Sequence, residues 1–211
     1  MTKKKKRLNP ILPINYDNHS IYNIGDYDII ENCCFENIII DQKFTGVEFR
    51  HCKFINVDFS GCNIHNIHFI HVVFEHCDLS NLDLSSTTFH YVEIRESKLV
   101  GIDMSNASIR DVAFTNCLAR FSNFNFSTIN NTEWLGTDFT ESSINEAVFK
   151  NIYFENNCFN ETEFLHTKLT GIDLSTCDLK GMRIDADSLV GAIISENQAI
   201  TLISLFGVVV K

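Results

Sequence analysis

Apolar residues recur at every fifth position over most of this 211-residue chain. From Phe44 to Ile184 there are 29 positions in steps of five, and every one of them is apolar. A second column of small or β-branched residues, such as Val47 and Cys52, lies two residues before the first. Helices have a side-chain period of 3.6 and strands a period of two, so neither produces a period of five. The pattern therefore predicts a structural unit of five residues.

Each unit of five contains two inward residues separated by one outward residue, followed by two residues that turn the chain. Inward and outward alternation is typical of a strand, and glycine tolerates tight turns. Seven of the nine glycines lie two residues after the large apolar residue: Gly46, Gly61, Gly101, Gly136, Gly171, Gly181 and Gly191. Four such sides close a square coil of twenty residues, and coils stack about 4.8 Å apart. The sequence predicts about seven coils and a rod of roughly 35 Å, filled by fourteen of the 18 phenylalanines.

The N-terminal end of the repeat is irregular. Units centred on Phe35 and Ile40 precede the main column, which starts at Phe44, so the register slips by one residue and predicts an imperfect first coil. Residues 1–20 form a basic N-terminal tail in this prediction, and the β-helix covers residues 21–190. Residues 1–15 are expected to be mobile, with the alternative that the segment LNPILPIN lies over the open end of the core.

Residues 191–211 predict a helix followed by a short strand, VVVK. Ser195 and Gln198 form a capping box, and Gly207 fits the end of the helix. A solenoid needs its ends covered, so the segment is expected to cap the rod and also to join two rods end to end as a homodimer. The predicted dimerisation residues are Ala199, Leu202, Ile203, Phe206, Val208 and Val209.

One interior unit departs from the pattern. In Cys117–Phe121 the large position shrinks to Ala119, while Leu118 and Phe121 occupy outward positions. A local bulge that turns one of these two side chains inward is the expected outcome. An exposed contact patch is the alternative.

Groups that could carry catalysis are scarce, and the chain is not expected to be an enzyme or to bind a cofactor. Phosphate-binding glycine loops, nucleophile elbows and the usual zinc motifs do not occur. Five of the eight cysteines differ by multiples of five, so they are expected to be buried free thiols within the repeat. His51 and His71 lie one coil apart with Tyr91 next, which predicts a ladder of stacked rings. A tetrahedral metal site needs more ligands than these two histidines supply, so no metal is expected.

The chain carries a net charge of −10, which disfavours nucleic acid and anionic membrane as direct partners. It has neither an apolar run long enough to cross a membrane nor a signal peptide, so a cytoplasmic location is expected. Sorting outward residues by their position within the coil makes three faces acidic. The fourth, which contains Phe49, has three acids against four bases.

The repeated units CKFIN, VDFSG, CDLSN, TDFTE and CDLKG closely resemble those of the pentapeptide-repeat proteins. The resemblance implies an all-β fold, a right-handed quadrilateral β-helix, here with a short C-terminal helix. Its Qnr-like members bind DNA gyrase and topoisomerase IV and protect them from quinolones or peptide poisons. Gram-negative Qnr proteins carry long loops that project from the coils, whereas here the column runs without an insertion.

The resemblance and the acidic faces together predict a mimic of DNA, whose rod presents negative charge at a regular rise. The expected partners are DNA gyrase and topoisomerase IV. The alternative is a structural or adaptor rod for an unrelated protein. The candidate partner-binding residues are Asp58, Glu75, Asp78, Glu93, Glu96, Glu133, Asp138, Glu155 and Asp173.

Overall fold

The chain forms a parallel β-solenoid in which each coil hydrogen-bonds to the next. A computed structural model describes residues 6–17, 19–205 and 207–209. A 3₁₀ helix, Ile21–Asn23, precedes the sheet. The strands are β1 (Ile29–Glu31), β2 (Cys34–Glu36), β3 (Lys43–Thr45), β4 (Glu48–Arg50), β5 (Lys53–Ile55), β6 (Asn63–His65), β7 (His68–Glu75), β8 (Thr88–Arg95), β9 (Ser108–Thr115), β10 (Thr128–Leu135) and β11 (Val148–Glu155); the helices are α1 (Ala186–Leu189) and α2 (Glu196–Leu205).

Each coil has four sides, which we name the Phe49, Phe54, Phe59 and Phe44 faces after the large apolar residue of one early coil. Strands β7 to β11 each run over the Phe49 face, turn a corner and continue over the Phe54 face. The other two faces are held by the strand pair β3–β6 and by isolated parallel bridges, such as Asp78 with Lys98 and Asp83 with Asp103. Beyond the first coil the paired residues are twenty apart, so the square coil predicted from the sequence is confirmed.

The interior is a continuous stack of the large apolar residues. Phe54 and Phe74 lie on consecutive coils with ring centroids 5.0 Å apart and nearly parallel planes. Trp134 takes the same position three coils further on and is fully buried. Among the 29 column residues only Phe149 is partly exposed. Because burying a phenylalanine contributes about 2–3 kcal/mol, this column supplies most of the hydrophobic stabilisation.

The corners require a left-handed backbone. The residue two places after each large apolar residue has a positive φ at most corners, and 23 of these residues are not glycine. Ten of the 23 are asparagine, which adopts this conformation more readily than other residues with a Cβ. The predicted glycine corners are confirmed at six positions, and Gly61 is the exception.

The first coil is one residue shorter than the others. Ile30 pairs with Phe49 and Phe35 with Phe54, an offset of 19, whereas Phe44 pairs with Ile64, an offset of 20. The predicted register slip is therefore confirmed. Gly61 stacks on the shortened corner, with an added Cβ 3.7 Å from that of Asp41, which accounts for its ordinary φ.

Serines and threonines replace the small apolar residues of the second column in the later coils, and they are buried. Their hydroxyl groups bond to the backbone of the preceding coil. Thr162 Oγ1 donates to Phe139 O at 2.7 Å, and Ser142 Oγ both donates to Ala119 O and accepts from Ser122 N. These hydroxyl groups bond to backbone N–H and C=O groups at the corners. Each buried hydroxyl group therefore has a hydrogen-bond partner, which offsets the cost of its burial.

The C-terminal helix α2 closes the end of the rod. The capping box is confirmed, with Ser195 N donating to Gln198 Oε1 at 2.7 Å. Gln198 Nε2 also donates to Leu174 O and Cys177 O, which ties the helix to the backbone of the preceding coil. Leu202 is 1% exposed and joins the core. The helix therefore packs one apolar side chain onto the last coil, as a cap would.

Two expectations about this end need correction. Leu202 does not offer its side chain to a second copy, because the helix must insert one apolar residue to cover the last coil. Val208 and Val209 do not form the predicted strand. Phe206, the other central residue of the predicted interface, lies outside the described residues. Ile203, Val208 and Val209 are exposed.

The bulge expected near Ala119 is wrong. Leu118 keeps the regular bridges to Lys98 and Asp138 and remains outward. Phe121 and Phe126 lie at consecutive corners with positive φ, and each is 54% exposed. The neighbouring coils fill the space beside Ala119, so the alternative of an exposed apolar patch is the one that the structure contains.

Candidate functional site

The N-terminal segment lies along one edge of the rod. We call residues 6–17 the arm. It follows the corner between the Phe49 and Phe54 faces across six coils, from Asp17, which pairs with Cys33, to Lys6, whose carbonyl bonds to Asn131. The expectation of a mobile tail is therefore wrong for residues 6–15, and the arm does not cover the open end either. Polar groups on the corner hold it in place.

Arg7 anchors the arm between two carboxylates. Its Nη2 is 3.0 Å from Glu93 Oε1, and its Nε is 3.0 Å from Glu133 Oε2. Glu93 is buried and also pairs with Arg95. Because a buried carboxylate without a counter-charge is strongly unfavourable, Arg7 and Arg95 together make this position possible.

The next residue of the arm is recognised through its backbone. Leu8 N donates to Asp111 Oδ1 at 3.1 Å, and the same carboxylate accepts from Asn131 Nδ2. Asp111 is buried at the corner itself. We call Glu93, Asp111 and Glu133 the carboxylate groove, since the three side chains come from three consecutive coils and line one edge.

Two histidines hold the middle of the arm. Ile11 N donates to His71 Nδ1 at 3.1 Å, and His51 Nδ1 donates to Ile11 O at 2.8 Å. The rings of His51 and His71 are stacked with centroids 4.8 Å apart, and Tyr91 stacks on His71 at 4.5 Å. The predicted ladder of rings is thus present, and its polar edges bind the backbone of the arm.

The acceptor role of His71 requires a neutral ring. Burial under the arm lowers the pKa of His71, and the nearby His51 and His90 lower it further. Protonation of Nδ1 removes the acceptor for Ile11 N. Because the pKa of His71 is lower when the arm is bound than when it is released, binding of the arm is strongest at a pH above the unperturbed histidine pKa. This contribution is lost as the pH falls through the lowered pKa.

We therefore expect the middle of the arm to loosen on acidification. The Ile11 amide resonance should shift as the pH falls from about 7 to below the ordinary histidine pKa of about 6.5. Nuclear magnetic resonance titration of ¹⁵N-labelled protein measures this shift. In His71→Gln, whose amide oxygen accepts without titrating, the same resonance should stay constant. A transition of equal size in His71→Gln would contradict this role.

Most of the acidic residues proposed for partner binding have basic neighbours in the structure. Glu75 lies 2.8 Å from Lys53, Asp78 lies 3.3 Å from Lys98, Asp138 lies 2.7 Å from Arg120 and Glu96 lies 3.4 Å from His76. Glu155 accepts from the Tyr153 hydroxyl. With Arg7 on Glu93 and Glu133, the Phe54 face is less negative than its acids alone suggest.

Four of the candidate aspartates also have a local role. Asp58, Asp78, Asp138 and Asp173 each accept a hydrogen bond from the backbone N–H two residues later. Such a bond closes an Asx turn and guides the chain out of each side. The Asp-x-Ser spacing of the repeat therefore has a structural cause, independent of any partner.

Exposed carboxylates gather at the corner diagonally opposite the arm. Glu141 and Glu161 occupy the same corner position on consecutive coils, between the Phe59 and Phe44 faces, and both are exposed. Glu163 lies beside them and pairs with Arg183 at 2.6 Å. These residues line a shallow hollow. None of the three glutamates is among the nine candidates, which lie on the Phe54 and Phe59 faces.

The cysteines behave as small apolar side chains. All eight lie in described parts of the chain and are free thiols. Burial raises the pKa of Cys52 to about 12 and that of Cys117 to about 11, so these thiols stay protonated and unreactive near neutral pH. Over the described residues there is neither a cluster of three metal-ligating side chains nor a helix of sufficient length and apolarity for a membrane span.

Comparison with known proteins agrees with this geometry. The sequence model of a pentapeptide repeat region matches residues 67–144, and that of pentapeptide repeats in eight copies matches residues 40–69. No curated protein sequence matches the chain significantly.

Three solved structures illustrate the likeness. HetL, involved in heterocyst differentiation regulation in the cyanobacterium Nostoc sp. strain PCC 7120, is 13% identical over 81% of this chain and 91% of its own, with a TM-score of 0.39. QnrB1, a plasmid-mediated fluoroquinolone resistance protein, is 19% identical over 89% and 99%, with a TM-score of 0.35. A protein of the Arabidopsis thaliana thylakoid lumen is 16% identical over 40% and 63%, with a TM-score of 0.21. With its five-residue column, square coils and matching sequence models, this chain belongs to the pentapeptide-repeat family.

Proposed function

We propose that the protein binds DNA gyrase or topoisomerase IV as a mimic of DNA and protects the enzyme from quinolones or other poisons. The observation that supports this function best is the stacking of carboxylates on consecutive coils. Asp58 is bridged to Asp78, and Asp83 to Asp103. Coils repeat about every 4.8 Å, while phosphates follow one another every 3.4 Å along each DNA strand. Over these pairs of coils a basic DNA-binding groove would meet negative charge at a comparable linear density; the first row continues with Lys98 and the second with Asn123.

The rigidity of the rod supports the same role. The core is filled by stacked side chains, and the column runs from Phe44 to Ile184 without an inserted loop. A rigid binder loses little conformational entropy when it associates. The contact is expected to rely on the faces and corners of the rod, because long projecting loops of the Gram-negative Qnr type are missing from this sequence.

The corner that contains Glu141 and Glu161 is the most suitable contact surface. It lies diagonally across the rod from the arm, and its carboxylates are exposed. Glu93 and Glu133 are held by Arg7, so they would contribute less than the sequence analysis expects. The proposed contact therefore moves from the Phe54 face to the edge between the Phe59 and Phe44 faces.

Purified protein should protect gyrase in a supercoiling assay that contains ciprofloxacin. Added at micromolar concentration, it is expected to restore supercoiling of relaxed plasmid and to reduce drug-induced cleavage. The same assay without drug distinguishes protection from simple inhibition. If neither supercoiling nor cleavage changes in any condition, the proposed function is wrong.

The paired substitution Glu141→Gln and Glu161→Gln is expected to weaken gyrase binding about tenfold, because two charges at one contact are lost. Surface plasmon resonance measures the affinity. The matched control is Glu48→Gln with Asp187→Asn, which changes the net charge equally on the Phe49 face. An equal loss in both variants would mean that only total charge matters, and no loss in the first would place the contact elsewhere.

An adaptor rod for another protein is the second candidate, and one observation favours it. Leu118, Phe121 and Phe126 are exposed within a single coil. Aromatic side chains at positive φ are unfavourable in isolation, and exposed aromatic residues are frequent at protein interfaces. Phe121 lies at the same corner as Glu141, one coil earlier, whereas Phe126 lies at the next corner. In the gyrase assay Phe126→Asn should therefore have little effect, whereas an adaptor would lose its partner.

A further inference from the structure

We propose that the carboxylate groove is a binding site for an extended, arginine-containing peptide of a partner protein, and that the arm is its resident competitor. This proposal does not depend on the proposed binding of topoisomerases, since that contact lies at the opposite corner. The partner is defined by its chemistry: an unfolded, basic segment with one arginine that can enter between Glu93 and Glu133.

The groove is specific for a guanidinium group. Two of its nitrogen atoms, Nη2 and Nε of Arg7, lie at the same distance of 3.0 Å from carboxylates on two different strands, β8 and β10. A planar fork can satisfy two separated acceptors at once, whereas an ammonium group is a point charge. Asp111 lies on the strand between them, β9, and accepts a hydrogen bond from the backbone N–H of Leu8. Three carboxylates thus surround one arginine and the peptide bond after it.

The rest of the site recognises backbone and leaves side chains free. His71 and His51 bond to the N–H and C=O of Ile11, and Asn131 donates to Lys6 O. The side chains of Leu8 and Ile11 are 54% and 67% exposed. Any extended peptide offers the same backbone groups. The site therefore demands the arginine and tolerates most other residues.

The arm is attached in a way that permits exchange. Among the described residues 6–17, none belongs to the buried core, and Ile14 is almost fully exposed. Release of the arm would not open a cavity in the rod. A hollow of about 360 Å³ lined by Asn151, Tyr153 and Thr132 lies beside Lys6 and Arg7.

Tethering gives the arm an advantage over any free peptide. An attached segment acts at an effective concentration in the millimolar range. A partner peptide must therefore bind the groove more strongly than the tethered arm does at this effective concentration. Weakening the arm should raise the apparent affinity for the partner peptide. This consequence distinguishes a competed site from a fixed structural ion pair.

The test uses full-length protein and a fluorescent peptide with the sequence MTKKKKRLNPIL, which is residues 1–12 of this chain. Fluorescence anisotropy measures binding to the wild type and to Arg7→Ala. Arg7→Ala is expected to bind the peptide at least tenfold more tightly, because its own arm loses both ion pairs with the groove and competes less well. Equal affinity for the two proteins would overturn the proposal.

Two matched controls separate a site from general attraction between charges. A peptide with Arg7→Lys keeps its charge but loses the fork, so its affinity for the Arg7→Ala protein should fall about tenfold. Adding Glu133→Gln to that protein should weaken the original peptide, whereas adding Glu163→Gln, an acid on the Phe44 face, should not. Circular dichroism verifies that each variant is folded. Equal binding of arginine and lysine peptides, or equal effects of the two glutamates, would show nonspecific attraction and refute the groove.

Discussion

Replacing Phe124 with alanine is expected to lower the free energy of unfolding by about 3–5 kcal/mol, since a buried phenylalanine leaves a cavity that its neighbours only partly refill. The side chain is fully buried. Its ring contacts Trp134, Phe114 and Phe139 with centroid distances of 5.4, 6.0 and 6.0 Å. Three aromatic neighbours on two coils therefore lose a partner together. Chemical denaturation followed by circular dichroism measures the change.

Phe126→Ala, two residues further on, is the matched control. Phe126 is 54% exposed and lies at a corner with a φ of 60°. Its replacement should change stability by no more than about 0.5 kcal/mol. Phe126→Gly should raise stability by up to about 1 kcal/mol, since glycine accepts positive φ without strain. Similar losses for Phe124→Ala and Phe126→Ala would contradict the five-residue alternation on which the whole fold depends.

Leu202→Ala is expected to cost about 2–4 kcal/mol, the usual range for a buried leucine. Leu202 is the one residue of α2 that enters the core, and it covers the last coil. An uncapped solenoid exposes both its apolar interior and its backbone edge. We therefore also expect aggregation at high concentration, and thermal unfolding together with light scattering measures both effects.

Ile203→Ala provides the control on the same helix, because Ile203 is exposed and should contribute little to the stability of one chain. The proposed homodimer is tested separately with Val209→Asp. That residue is 80% exposed, so the substitution should yield monomers without loss of folding. If Leu202→Ala leaves the chain as stable as the wild type, the cap does not depend on Leu202. Dimers that persist in Val209→Asp would place the interface elsewhere.

The solenoid could be predicted from the sequence in some detail because its information is local and repeated. Phe54 and Phe74 have the same position in the repeat, and 27 further positions follow the same rule. The register slip between Ile40 and Phe44 and the capping box at Ser195 are also local patterns. Each was predictable because a strand side, a turn or a helix end depends on residues no more than a few positions apart.

The corners were predictable only in part. Glycine indicated where the chain turns, but Tyr91, Phe121 and Phe126 adopt the same left-handed conformation with large side chains. Their local preference opposes it. Hydrogen bonds to the coils above and below determine their backbone, such as Phe121 N to Thr140 O at 3.1 Å. Tertiary structure therefore overrides local preference at these positions.

The candidate site followed a different rule. Carboxylates on outward positions were visible in the sequence, and so was the spacing of His51 and His71. The partner of Glu93 and Glu133 was not, because Arg7 lies 86 and 126 residues away and belongs to no repeat. A single contact between residues so far apart in the sequence produces no repeated pattern from which it could be predicted.

The sequence by itself determined the five-residue side, the square coil, the aromatic core and the position of the cap, because each is specified many times or by close neighbours. Only the tertiary structure decided that the arm lies along one edge, that Arg7 neutralises two of the proposed contact residues, and that Leu202 enters the core. The physical reason is that these features arise from single contacts between distant residues, whose energies depend on geometry that exists only after the coils have stacked.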